Sequence, residues 1–247
     1  MGIRRGSIST PIIADGLIFN IDAANRASYV NGNTNTFNTT DLSQSGSLEN
    51  DVAFIQSPTP SFEFDGVDDY INIGNNTNFE YTDSFSFSTW INPSPKSGVK
   101  YLYSKYISGK GILIYLNSSS TNGINTLHFN LYNSNSGSTV IRKRITTNDI
   151  SFASINTWVN IVLTYNGSGL ASGINYYKNG LIQSFSTTQD NLQNNSIANT
   201  EDAYLSSYNG ASSFYSGLTS NFHIYNKALS STEVLHNYNA LKSRFGL

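Results

Sequence analysis

An all-β sandwich of two packed antiparallel sheets, closed by one short C-terminal helix, is the fold class this sequence predicts. Three observations carry the prediction. Short apolar runs alternate with polar residues at period two and recur between turn-rich breaks, as in SFSFSTWIN from Ser84 to Asn92. Asn179-Gly180 stands between two such runs, INYYK and LIQSF, and is the preferred pair for a type I′ hairpin turn because both residues need positive φ. Only the stretch from Ser230 onward changes to helical spacing.

The 247 residues fit one such domain, and 38% hydrophobic residues with 16 Tyr and 14 Phe supply a core, so disorder is not expected. Charged residues are 12% and the net charge is −2, which removes the electrostatic attraction nucleic-acid binders rely on; no nucleic-acid partner is expected. With no cysteine, a disulfide framework, a thiolate zinc site and a cysteine nucleophile are excluded. No apolar run is long enough for a signal-peptide core or a membrane span, so neither signal-led secretion nor membrane insertion is expected. Met1-Gly2 starts a myristoylation pattern, but Gly6 stands where that pattern needs Ser or Thr.

Taken in order, residues 1–13 read as an extended arm, rich in Gly and small hydroxyl residues, with Arg4 and Arg5 either docking on an acidic neighbour or part of a frayed end. Residues 14–247 form the sandwich domain. GLIFNIDA is its first strand, and Asn25 to Asn50 is a polar surface loop. FEF and YINIG flank an acidic turn. SFSFSTWIN follows, with Phe85, Phe87 and Thr89 on one face and Ser84, Ser86, Ser88 and Trp90 on the other. YLYSKY, GILIYLN, LHFNLYN, STVIRKRIT, TWVNIVLTYN, the Asn179-Gly180 hairpin, AYLSS and SGLTSNFHIYN bring the set to roughly a dozen strands, enough for two sheets. Ser230 to Glu233 is a capping box, Val234, Leu235, Tyr238 and Leu241 lie at helical spacing, and the helix is expected over residues 231–244 with Gly246 ending it.

In this order, FDGVDDYINIG, SFSFSTWINP, NTWVNIVLTYNG, YYKNGLI and GLTSNFHIYNKALSSTEV resemble the segments of the laminin G-like branch of the concanavalin A-like lectin/glucanase superfamily. The resemblance implies a jelly roll of two curved antiparallel sheets. GLIFNIDAANRASY, TTDLSQSGSLENDVAF and NYNALKSRFGL are similar to such domains in tailed-bacteriophage virion proteins, over about Asp15 to Leu247. That narrower resemblance implies a non-enzymatic virion structural protein, made in the host bacterial cytoplasm, decorating a capsid or associated with a tail or fibre. Its implied partners are other virion proteins, host surface glycans and further copies of the chain. A stand-alone carbohydrate-binding adhesin is the alternative, and a β-glucan hydrolase the least favoured.

The fold family also implies a calcium ion where the first strand, the FDG turn and the last strand meet. Carried over by position, its ligands are Asp22, Asp65, the Gly66 carbonyl and Asn221, the last an amide where relatives have Asp. Hydrogen-bonded turn caps without a metal are the alternative. Glu63-Phe64-Asp65 with Asp68 mimics the E-x-D-x-x-E strand of the glucanases, but the last position is Asp and Gly66 breaks the strand, so Glu63, Asp65, Asp68 and Asp69 are expected to disperse and no catalytic residue is assigned.

His128, His223 and His236 lack metal-ligand spacing to one another. For sugar stacking, Tyr101, Tyr103 and Tyr106, or Tyr208, Asn209 and Tyr215, are examples of the aromatic and amide groups needed, none singled out. Trp90 and Trp158 read as packing residues. Arg142-Lys143-Arg144 is a charged edge strand or a basic face for an acidic partner.

Overall fold

The computed structural model describes residues 11–118, 126–133, 140–144, 155–192 and 194–247, with side chains throughout except at 140–144. Most of the N-terminal arm, with Arg4 and Arg5, lies outside the described residues, as do the side chains of Arg142, Lys143 and Arg144.

Among the described residues, seventeen strands form two antiparallel sheets. The strands are β1 (Leu17–Asp22), β2 (Asn35–Phe37), β3 (Ser45–Glu49), β4 (Ala53–Ile55), β5 (Ser61–Asp65), β6 (Tyr70–Asn72), β7 (Phe85–Pro93), β8 (Gly98–Ile107) and β9 (Lys110–Ser118). They continue with β10 (Thr126–Asn133), β11 (Val140–Arg144), β12 (Val159–Tyr165), β13 (Ile174–Lys178), β14 (Leu181–Gln183), β15 (Ser186–Asp190), β16 (Tyr204–Leu205) and β17 (Ser216–Tyr225). The eight-stranded sheet runs β14-β13-β12-β7-β17-β5-β4, with β1 also on β17. The nine-stranded sheet runs β15-β11-β10-β9-β8-β16-β6-β3-β2.

Between the sheets lies one aromatic core, with Phe19, Phe62, Phe64, Phe85, Phe87, Tyr103, Phe129 and Phe222 nearly or fully buried. Phe85 packs against Phe79, Phe129 and Tyr165 at centroid distances of 4.7, 6.2 and 5.1 Å. Each such ring contributes about 2–3 kcal/mol by leaving water.

The alternation read in SFSFSTWIN holds, yet β7 is buried on both faces. Its phenylalanines enter the core, and its serine face is covered by the chain after β17. Ser86 Oγ donates to Lys227 O at 2.7 Å and accepts from Leu229 N at 2.9 Å. The covering chain leads into helix α1 (Ser231–Leu241), a 3-10 turn (Lys242–Phe245) and Gly246 at φ 72°, the left-handed stop. The capping box is present: Ser230 Oγ accepts from Glu233 N, and Glu233 Oε2 accepts from Ser230 N at 2.8 Å. A second small apolar cluster, Val162, Tyr177, Tyr225, Leu229 and Val234, seats the helix on the sheet. At the hairpin, Asn179 and Gly180 adopt φ of 51° and 78°, as a type I′ turn requires.

Candidate functional site

The outer face of the nine-stranded sheet carries a band of half-buried tyrosines. It arises from strand parity: Ile112, Ile114 and Leu116 on β9, with Leu127, Phe129 and Leu131 on β10, fill the core, so Tyr115, His128, Asn130 and Tyr132 project outward. A bulge between Tyr101 and Tyr103 shifts the parity of β8, which turns Tyr103 into the core while Tyr101 and Tyr106 stay outside. Ring contacts link the band. Tyr101 meets Tyr115 and Tyr208 at 5.1 Å each, Tyr106 meets Tyr208 at 6.1 Å and Tyr132 at 5.1 Å, and Tyr115 stacks on His128 at 4.6 Å. Asn130 donates to the Tyr132 and Tyr115 hydroxyls at 3.1 and 3.4 Å. Burial, then the neighbouring tyrosines, holds the Tyr101 and Tyr208 phenols above their usual range, so these two stay protonated at neutral pH.

Of the tyrosines considered from sequence, Tyr101, Tyr106 and Tyr208 join this band, whereas Tyr103 and Tyr215 are fully buried. Asn209 lies at the edge, its Nδ2 donating to Tyr106 O at 2.6 Å. Tyr115, Asn130 and Tyr132 were not singled out, although they are the polar alternates of GILIYLN and LHFNLYN. Strand β11 sets Arg142 opposite Asn130 and Arg144 opposite His128 in register.

The four residues of the expected calcium set do not converge. Asp22 and Asn221 are cross-strand partners of β1 and β17, but Asp65 pairs with Ser216 at the far end of β17. Five residues of extended strand between Ser216 and Asn221 amount to roughly 15 Å. Each end is held by one of the chain's own cations. Arg244 Nη1 donates to both Asp22 carboxylate oxygens, at 2.8 and 3.0 Å. Lys96 Nζ donates to the Gly66 carbonyl and, at 3.3 Å, to Phe214 O. These residues do not fit one shared ion.

The acids of the FDG turn are gathered rather than dispersed. Beyond the strand end at Asp65, the Gly66 turn (φ 78°) folds the chain back. Asp65, Asp68 and Asp69 then bring carboxylate oxygens within 4.8 Å of one another, and Asp51 and Glu63 line the same open depression. Asp65 Oδ1 accepts from Val67 N at 2.7 Å, and Asp69 Oδ2 accepts from Asp65 N at 2.9 Å, so both cap the turn. Burial, helped by the charges of Asp65, Asp68 and Asp51, pushes the Asp69 carboxyl up to about 6.

Trp90 is fully buried and Trp158 half-buried; both pack on Phe245. His223 is buried beneath the C-terminal turn, and His236 hydrogen-bonds Pro11 O at 2.9 Å.

Among known proteins, the profile of the family described as the concanavalin A-like lectin/glucanases superfamily matches residues 64–235. No curated protein sequence matches the chain. Solved structures that superpose on it include the binding domain of botulinum neurotoxin serotype D, with TM-score 0.64, 15% identity and coverage of 91% of this chain and 52% of that one. The serotype G binding domain superposes with TM-score 0.66, 16% identity and coverage of 92% and 51%. The binding domain of botulinum neurotoxin DC, solved in complex with SialylT, gives 0.64, 15%, 92% and 52%. The chain thus spans about half the length of these domains, and at such identities the likeness is one of fold.

Proposed function

The chain belongs to the concanavalin A-like lectin/glucanases superfamily, and from that premise we propose that it is a non-enzymatic glycan-binding module whose site is the tyrosine band. The observation that carries this reading is the linked set Tyr115, Tyr101, Tyr208, Tyr106 and Tyr132, with Asn130 among them. Sugars present apolar C–H faces and hydroxyl rims; ring faces take the first, and amide and phenol groups take the second. Neutral phenols suit the Tyr101 and Tyr208 rings to hydroxyl recognition.

A hydrolase is the weaker reading. The acids nearest to a glycosidase pair, Glu63 and Asp65, lie on the eight-stranded sheet, away from the band, and Asp65 is engaged by turn amides.

The module is carried on a bacteriophage virion, at capsid or tail, in the fuller form of the proposal. Its support is the resemblance of GLIFNIDAANRASY and NYNALKSRFGL to virion domains, two segments that Asp22 and Arg244 tie together. Mass spectrometry of purified virions tests this part, and absence of the chain from them rejects it. The glycan part is tested on a glycan array: Tyr101→Ala and Tyr132→Ala are each expected to weaken binding about tenfold, the loss of one good aromatic contact. Array signals identical to those of the unaltered protein reject the site.

A further inference from the structure

The outer face of the eight-stranded sheet holds polar side chains that the tyrosine band does not use. Asn20 lies opposite His223, Asp22 opposite Asn221, and Asn221 opposite Trp90, so one face of β1, β17 and β7 carries them all. The 3-10 turn after α1 covers this patch, held on it by Arg244 and Phe245 and beside it by Thr59 Oγ1, which donates to Arg244 O at 3.2 Å. Arg244 holds Asp22, and the Phe245 ring lies on the Trp90 indole with centroids 3.9 Å apart and planes 8° apart.

Beneath the cover five polar atoms have no protein partner: Asn20 Oδ1, Trp90 Nε1, Asn221 Oδ1 and Nδ2, and His223 Nδ1. A buried polar atom left unpaired is costly, because it has given up its hydrogen bonds to water and gained none in return. The closed arrangement therefore carries a penalty that a ligand of matching polarity relieves. An open cleft lined by Asn20, Asp22, His223, Leu241 and Arg244 borders the patch and gives a way in.

We propose that this covered patch is a second saccharide site, opened when the C-terminal turn lifts, and that it takes a neutral sugar ring. On lifting, Phe245 leaves the indole face and the C–H face of a sugar replaces it, as aromatic rings in sugar sites do. The amides of Asn20 and Asn221 and the His223 ring then meet hydroxyls. Asp22, released from Arg244, accepts hydroxyl hydrogens and repels an acidic sugar. The site is on the sheet opposite the tyrosine band, and stands independently of the function proposed for it.

The test uses the full chain and an array of oligosaccharides, neutral members alongside acidic ones. Phe245→Ala and Arg244→Gln, each of which loosens one fastening, are expected to bind neutral members about tenfold more strongly than the unaltered protein. That gain is lost when Asn221→Leu is added and survives when Tyr101→Ala is added. Should Phe245→Ala fail to fold, Arg244→Gln alone decides. No gain in the folded variants, a gain confined to acidic members, or a gain that persists with Asn221→Leu overturns the proposal. A gain abolished by Tyr101→Ala overturns it too and assigns the binding to the tyrosine band.

Discussion

Phe245 lies flat on the indole of Trp90, 3.9 Å between centroids, and so the last turn of the chain completes the cover over the central strand of a sheet. Phe245 is 8% exposed, and its ring also meets Trp158 at 4.9 Å. Truncating it leaves a hole over both indoles. Phe245→Ala should cost about 3 kcal/mol, at the lower end for a buried phenylalanine since the site is peripheral. Urea unfolding measures this; an unchanged midpoint would show that the stack contributes nothing.

Gly180 is confined by two independent demands. Its φ of 78° favours glycine, and an added Cβ would stand 3.1 Å from Leu235 Cδ1 and Tyr238 Cβ. Gly180→Ala is therefore expected to destabilise by about 1–2 kcal/mol, from strain at the turn together with crowding against α1. Asn179→Asp, which still tolerates positive φ and keeps an oxygen to accept from Asn160 N, as Asn179 Oδ1 does at 2.9 Å, should cost far less. Thermal unfolding of the two variants side by side checks the order.

His223 makes stability depend on acid. Burial pulls its pKa down to about 4 from 6.5, with Asp22 raising and Arg244 lowering it further. As pH falls the unfolded chain takes up a proton near 6.5 while the fold resists until about 4, so stability present above that window is lost across it, by about 3 kcal/mol in full. Asp69, raised to about 6 from 3.8, works in the opposite sense: the fold is protonated first, and gains stability as pH drops through that range. His223→Gln should flatten the acid limb of a urea-midpoint curve between pH 7 and 4, and Asp69→Asn should steepen it.

Calcium is expected to leave thermal unfolding unchanged. The Gly66 carbonyl and the Asp22 carboxylate already hold Lys96 and Arg244, and the remaining turn acids, Asp65 and Asp68, are exposed. Asp65 Oδ1 and Asp69 Oδ2, two of the carboxylate oxygens that an ion there would need, already accept turn amides at 2.7 and 2.9 Å. A rise in Tm at millimolar calcium, reversed by chelator, would contradict this and place an ion on Asp65, Asp68 and Asp69.

Much of this architecture was legible from local signals. Alternation in SFSFSTWIN, Asn179-Gly180 and the Ser230–Glu233 box each depend on a few adjacent residues, and each appears as read. The sites depend on distant pairings, which no local pattern encodes. The bulge after Tyr101 reverses the side on which Tyr103 falls, so residue type alone does not separate this core ring from Tyr101 and Tyr106 at the surface. Asp22 and Asp65 both pair with β17, but on separate halves of a long strand, and only the register reveals the gap. Gly66 ends the strand as its residue type implies, yet the return of the chain brings Asp68 and Asp69 back beside Asp65.

The central claim is that the tyrosine band binds glycan. Its most direct test is the dissociation constant for the strongest glycan found on the array, measured for the unaltered protein and for Tyr101→Ala, with thermal unfolding recorded on the same samples. The account predicts affinity about tenfold weaker in the variant while both samples remain folded. Equal affinities in two folded samples would contradict it.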